Sequence, residues 1–209
     1  MLHMNEPVLD ELISAGAFFH QRGWTPATSG NFSSVLTRTP LTLALTASGR
    51  DKGRLAQPDF LKVGDRGEIL DPGGNHANKP SAEIDLHLAI AKYGNAGAVL
   101  HTHSIFGTLL SDRHFAEGGF EIEGYEILKG LTGIDTHDTR IRVEIFENTQ
   151  NIARMARQVE RRLQDPLSPL RHGFLIHRHG LYAWGRDVNE ARRHIETFEF
   201  LFELMGREK

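Results

Sequence analysis

The stretch Ala98-Val99-Leu100-His101-Thr102-His103 decides how this chain is read, because an apolar run delivers two imidazoles two residues apart into what reads as a strand. On a strand, residues i and i+2 project from one face, whereas on a helix they diverge. His101 and His103 can therefore grip one ion from one side, with neutral imidazole nitrogens about 2.0–2.1 Å from a zinc. Alone, His-x-His is a weak motif, and an ordinary core or surface histidine is the bland reading of each ring. The company the pair keeps raises the metal reading.

Upstream, Ser81 stands where an N-cap would open a helix carrying Ile84, Leu88 and Ala91. Residues 71–80 hold Pro72, Gly73, Gly74 and Pro80 and read as loop. Thr46-Ala47-Ser48-Gly49 is a small-residue turn after a strand at 41–46, and Thr28-Ser29-Gly30-Asn31-Phe32-Ser33 is another, entering the partner strand. Before it, Val8, Leu9, Leu12, Ile13, Ala15, Phe18 and Phe19 recur at helical spacing, which predicts an amphipathic helix over about 6–21 that stops near Gly23. Downstream lies a Gly-rich region at 117–133, followed by a strand from the alternation Ile141, Val143, Ile145. Ile152, Met155, Ala156, Val159 and Leu163 predict a further helix, ended by Pro166 and Pro169. Strands at 174–176 and 181–184 flank His177-Arg178-His179-Gly180, and a long helix at about 188–205 follows.

With 209 residues, the chain suits one domain over 1–209 and can bury a substantial core. Its 39% hydrophobic and 24% charged residues are those of a globular protein. No window has the apolar length of a membrane span, and no secretion signal is evident, so a cytoplasmic setting is the simplest expectation. A formal charge of -3 with scattered basic residues argues against a nucleic-acid footprint. With no cysteine, disulfides and thiolate sites are excluded, leaving histidine and carboxylate as the strong transition-metal ligands.

A catalytic zinc keeps three protein ligands and an open position, so His101 and His103 need a third. The chain has 12 histidines, and His177 and His179 form a second His-x-His, so spacing alone does not choose between those two. The turns 28–31 and 46–49 would let backbone N–H groups approach an anion closely, and with Ser81 at a helix start they could cradle a phosphate. Each turn by itself is more often only a turn. Lys52 and Lys129 could add charge, although most lysines are simply solvated. Two carboxylates are candidate bases for removing a carbon-bound proton beside a metal. Glu83 is expected in the first turn of its helix facing the anion cradle, where it could equally be a favourable charge at a helix start. Glu126, with glycines on both sides and apolar neighbours, is expected to be desolvated and its pKa raised; the bland alternative is a surface acid.

Taken together, Thr28-Ser29-Gly30-Asn31, Thr46-Ala47-Ser48-Gly49, Lys79-Pro80-Ser81-Ala82-Glu83, His101-Thr102-His103 and His179-Gly180 occur in the order and spacing of the class II aldolase family, which the chain resembles over almost its whole length. Through Gly124-Tyr125-Glu126-Ile127-Leu128-Lys129-Gly130 and His179-Gly180-Leu181-Tyr182-Ala183-Trp184-Gly185 it is most similar to the family's dehydratase branch. The resemblance implies an α/β/α sandwich around a largely antiparallel sheet, and a homotetramer with active sites near subunit contacts. It makes His101, His103 and His179 the ligands of one zinc per subunit, and Gly30, Asn31, Ser48, Gly49 and Ser81 the phosphate-binding positions. Glu83 matches the aldolase glutamate and Glu126 the acid/base position of the dehydratases. The aldolases tend to carry a second hydroxyl where this chain has Ala82, so one phosphate hydrogen bond is missing from the pattern.

The implied reaction is zinc-dependent dehydration, in methionine salvage, of a 2-ketopentose 1-phosphate bearing a methylthio group at its far end. Zinc would polarise the C2 carbonyl and Glu126 would take the C3 proton. A sugar-phosphate aldolase or epimerase of the fuculose-phosphate type is the enzymatic alternative. A cupin also begins with His-x-His but wants a glutamate where Gly107 and Thr108 stand. A non-catalytic domain on the same fold, as in adducin heads, is the alternative from another class, although the metal histidines degraded there are intact here.

Overall fold

The computed structural model describes residues 7–70 and 79–208. The loop expected at 71–80 therefore lies mostly outside the described residues, as does residue 6 of the first helix. The elements in order are α1 (Pro7–Gln21), β1 (Asn31–Arg38), β2 (Leu41–Thr46), β3 (Phe60–Gly64), α2 (Ile84–Tyr93), β4 (Ala98–Thr102), α3 (Ile105–Arg113), β5 (Gly119–Ile122), β6 (Ile141–Phe146), α4 (Ile152–Gln164), β7 (Gly173–Ile176), β8 (Gly180–Gly185) and α5 (Val188–Arg207). The strands form an 8-stranded sheet in the order β3-β2-β1-β4-β8-β7-β6-β5. Among its neighbouring pairs only β6 and β7 run parallel, so the sheet is largely antiparallel as expected.

Strand alternation sorts the side chains into two layers. On one face Phe32, Leu100, Leu175, Leu181 and Ala183 pack with Leu9 and Leu12 of α1, Leu110 of α3, and Ile195, Phe198 and Phe202 of α5. On the other, Val99, Phe174, Ile176, Tyr182 and Trp184 pack against Leu86 and Ile90 of α2 and Met155 and Val159 of α4. Helices thus cover both faces, the expected α/β/α sandwich. Among the described residues no helix is long and apolar enough to cross a membrane.

Three elements carry little sequence signal. The helix α3 exposes Ile105 and Leu109, which blurs its amphipathic stripe, while β3 and β5 are short and β5 sits inside the Gly-rich region. One helix start shifts: α2 begins at Ile84 with Glu83 at its cap. Ser81 acts two residues earlier than expected, its Oγ accepting from Glu83 N–H at 3.2 Å and its carbonyl from Ile84 N–H.

Candidate metal and anion site

The register of three strands builds the site. Asn31 is paired with His101 and Ser33 with Val99 across β1 and β4, while His101 pairs with Tyr182 across β4 and β8. Alternation then places Asn31, Ser33, His101 and Tyr182 on the α2 side of the sheet, and Leu100 and Thr102 on the α5 side. His101 is fully buried, and Tyr182 stacks on its ring with centroids 4.1 Å apart. His103 lies just past the strand end, held by a backbone hydrogen bond from its N–H to the Trp24 carbonyl at 2.7 Å. Gly30 lets the chain enter β1 here: its φ is +77°, and a Cβ would stand 2.5 Å from the His101 carbonyl oxygen.

The β7–β8 hairpin settles which of its histidines joins the pair. Arg178 takes a left-handed φ of 50°, which splits the side chains on either side of it. His177 turns outward, stacked on Phe115 at 3.9 Å, with its Nε2 3.0 Å from Asp112 Oδ1. His179 turns inward, its Nε2 3.3 Å from His101 Nε2. One nitrogen from each of His101, His103 and His179 lies within 4.8 Å of the other two. Two nitrogens sharing a tetrahedral zinc stand about 3.3 Å apart, so the three rings fit such an ion.

The chemistry of the donors fits as well. His101 Nδ1 is 2.9 Å from the Leu181 carbonyl oxygen, a partner that requires Nδ1–H and leaves Nε2 bare toward the cluster. Burial, and then the neighbouring His179, hold the His101 pKa well below its usual range, and burial followed by His101 does the same for His103. Neutral rings are the ligand form of histidine. The Glu83 carboxylate completes the cluster, with Oε2 3.6 Å from His101 Nε2 and Oε1 3.6 Å from His179 Nε2.

Beside the rings opens a cleft of about 390 Å³, lined by Thr28–Asn31, Ala47–Gly49, Ser81–Glu83, His103 and His179. The expected anion-binding positions Gly30, Asn31, Ser48, Gly49 and Ser81 thus share one cavity with the histidines. Ser48 N–H donates to the Lys79 carbonyl at 2.8 Å, stitching the second turn to the Ser81 segment. Ser29 Oγ is buried without a hydrogen-bond partner among the described residues, as a group awaiting a ligand would be. Lys52 is buried behind the first turn, its Nζ donating to the carbonyls of Thr28 at 3.0 Å and Arg50 at 2.5 Å. Asn148, Thr149, Gln150 and Ile152 also line the cleft. They had no sequence signal beyond preceding or opening a helix.

Glu126 departs from expectation. Its side chain is 70% exposed, and Lys129, whose Nζ is 2.5 Å from Oε1, holds the carboxyl below its usual pKa rather than above it. The flanking glycines mark a turn on the surface, so the apolar neighbours Ile127 and Leu128 do not desolvate it. Lys129 is spent on this pair and does not line the cleft. Another buried histidine, His87, escaped notice. It lies four residues after Glu83, the spacing that puts two side chains on one helix face.

The family model for the class II aldolase and adducin N-terminal domain matches residues 10–205. A methylthioribulose-1-phosphate dehydratase of Methylococcus capsulatus is 47% identical, over 94% of this chain and 92% of its own. One of the same name from Pseudomonas fluorescens is 44% identical, over 95% and 91%. An L-fuculose 1-phosphate aldolase superposes with a TM-score of 0.76 at 21% identity, covering 98% of this chain and 87% of that one. The l-fuculose-1-phosphate aldolase of Thermus thermophilus gives 0.73 at 22%, covering 95% and 93%. At such identities these two structures speak for the fold.

Proposed function

The chain belongs to the class II aldolase and adducin N-terminal domain family, and from that premise we propose that it dehydrates 5-methylthioribulose 1-phosphate to 2,3-diketo-5-methylthiopentyl 1-phosphate in methionine salvage, as a hydro-lyase. The observation that carries this reading is the identity of 42–47% with dehydratases of that name over nine-tenths of both chains. The cleft supports it, since an anion cradle and a metal-ready cluster share one cavity.

His101, His103 and His179 would hold one divalent ion, and we assign zinc, which three neutral imidazoles suit. Such an ion supplies Lewis-acid polarisation of a carbonyl. The chain's own groups do the rest. Gly30, Asn31, Ser48, Gly49 and Ser81 bind the phosphate and fix the reacting carbons relative to the histidines, where orientation lowers the barrier. Glu126 takes the C3 proton; the C4 hydroxyl leaves as water with a returned proton, and the enol so formed tautomerises to the diketone. Glu83 is the carboxylate beside the histidines within the same chain, the alternative acid/base group.

Since Glu126 is exposed and is not among the cleft residues of its own chain, it would act in the cleft of a neighbouring copy. The exposed Ile105 and Leu109 of α3, 72% and 51% accessible, form an apolar face right after the ligand strand and favour such a contact in a homotetramer. We read residues 1–209 as one domain, and place the reaction in the cytoplasm because a phosphorylated substrate does not cross membranes unaided.

Offering the zinc-loaded protein methylthioribulose 1-phosphate, fuculose 1-phosphate and ribulose 5-phosphate side by side tests the assignment. The expected result is diketone from the first alone. Release of dihydroxyacetone phosphate would make it an aldolase instead.

A further inference from the structure

We propose that His87 is a positioning residue of this site: its Nε2–H fixes which way the Asn31 amide points, and that amide in turn orients both the Glu83 carboxylate and the Ser81 hydroxyl. The proposal rests on the reading of the cleft given above.

His87 is fully buried on α2, one turn after Glu83. Its ring is held between two β1 side chains, with Nδ1 2.7 Å from Ser33 Oγ and Nε2 against Asn31 Oδ1. On its other end, Asn31 Nδ2 donates to Glu83 Oε2 at 2.7 Å and to Ser81 Oγ at 3.2 Å. A side-chain amide can be reversed with almost no change of shape, so its surroundings decide its direction. Reversal here would set Oδ1 against the Glu83 carboxylate, two acceptors with no proton between them. The carboxylate opposes that reversal from one end, and a proton on His87 Nε2, donated to Oδ1, locks the amide from the other. That orientation needs a proton on Nε2, which leaves Nδ1 as an acceptor for the Ser33 hydroxyl. Burial drives the His87 pKa down to about 4, keeping the ring neutral with one donor and one acceptor.

Polarity consequently runs one way, from Ser33 through His87 and Asn31 to Glu83. It also reaches the anion cradle. Ser81 Oγ accepts from both Asn31 Nδ2 and Glu83 N–H, so its lone pairs are occupied and its own proton is left to donate into the cleft. With Ala82 unable to supply a second hydroxyl, the direction of this one matters more for holding a phosphate. Phenylalanine at 87 would keep the packing against Tyr182, whose ring lies edge-on at 5.7 Å, but would release the amide.

Nitrogen-15 NMR of imidazole-labelled, metal-loaded protein, with His87 assigned by its loss in H87Q, reads the tautomer directly. An Nε2–H ring is expected at neutral pH; an Nδ1–H or doubly protonated ring overturns the proposal. The second measurement compares H87F with H87Q, whose terminal amide nitrogen can still donate to Asn31 Oδ1. With metal content matched to wild type, H87F is expected to weaken binding of inorganic phosphate and to lower kcat/KM by about 10–100-fold, a loss typical of outer-shell hydrogen bonds at metal sites. H87Q is expected to recover most of both. Equal losses in the two variants, or none in H87F, would sink the assignment. Should H87F not fold, the tautomer and the phosphate affinity of H87Q still decide. Should the wild-type protein dehydrate nothing, the functional reading fails, while the tautomer and phosphate binding still test His87.

Discussion

The helix start carrying Glu83 and the turn carrying Glu126 hold their carboxylates by opposite means. Glu83 is 13% exposed, bonded to Asn31 and wedged between two imidazoles, so its surroundings dictate its position. Glu126 faces solvent, paired with Lys129 and His137. Yet the segment beneath Glu126 is rigidly built. Leu128 and Leu131 are buried, Thr132 N–H donates to His194 Nε2 at 3.1 Å, its hydroxyl donates to Glu190 Oε1 at 2.7 Å, and His172 Nε2 reaches its carbonyl at 2.7 Å. The segment is thus anchored at Leu128, Leu131 and Thr132 while its acid faces outward. The lesson is that one carboxylate belongs to the cleft of its own chain, whereas the other stands outside that cleft, on the surface.

The harshest way to break this comparison is to remove the histidine that closes the cluster. H179A should lose the metal and fall to the turnover of chelated wild type, by metal analysis and assay of the same sample. E126Q should keep its metal and lose about 10²–10⁴-fold in kcat, the usual worth of a general acid/base. Co-assembling the two dead variants should then restore part of the activity, because some clefts would combine intact histidines with an intact Glu126 from the next subunit. An E126Q that works normally would return the proton transfer to Glu83, whereas two dead variants whose mixtures stay inactive would refute a Glu126 acting across subunits.

A smaller effect separates the two faces of β4. Thr102, between His101 and His103, donates to Glu199 Oε1 at 2.9 Å on the α5 side. Burial pushes the Glu199 carboxyl up to about 7, against the opposing pull of the Ser104 and Thr102 hydroxyls. Between the unfolded value near 4.5 and 7, the folded protein holds a proton that the unfolded chain releases, so this group's contribution to stability is lost as pH rises through that window. E199Q removes the slope. Relative to wild type it should gain on the order of 3 kcal/mol between pH 5 and pH 8, at about 1.4 kcal/mol for each tenfold difference in proton affinity between the folded and unfolded chain. Melting curves in which the gap between the two proteins stays constant with pH would refute this.

Much of the site was legible because its elements are locally marked. The two small-residue turns and the apolar strand ending in His-x-His each carry their own pattern, the Ser81 segment marks the α2 start to within two residues, and the alternation that sends Leu100 to one core and His101 to the other is written in the order of residues. The family resemblance picked His179 over His177, but spacing could not, because the choice turns on the left-handed Arg178, which nothing in Ile176-His177-Arg178-His179 signals. Glu126 misled for a related reason: glycines beside an acid mark a turn, and whether a turn is buried depends on what packs over it. Asn148, Thr149 and Gln150 reach the cleft only because the sheet brings β6 beside β7, a pairing that no local pattern states.

Lys52 provides the finest test of how the cleft end is built. Burial pulls its pKa down to about 8, with Asp51 and Asp59 acting in the opposite sense. Two of its protons are engaged by the Thr28 and Arg50 carbonyls, and a neutral amine retains two N–H groups, so deprotonation can remove the charge while leaving both hydrogen bonds in place. The scaffold of the first turn would then persist while its attraction for an anion fades. Inorganic phosphate should bind less tightly as pH rises through about 8, by a few-fold to about tenfold, given one charge acting across a partly wet site. K52M should bind weakly at every pH and lose that dependence. Calorimetric titrations of both proteins across the range decide it: parallel profiles would mean that Lys52 only ties the turn together, whereas converging ones would show its charge at work in the cradle.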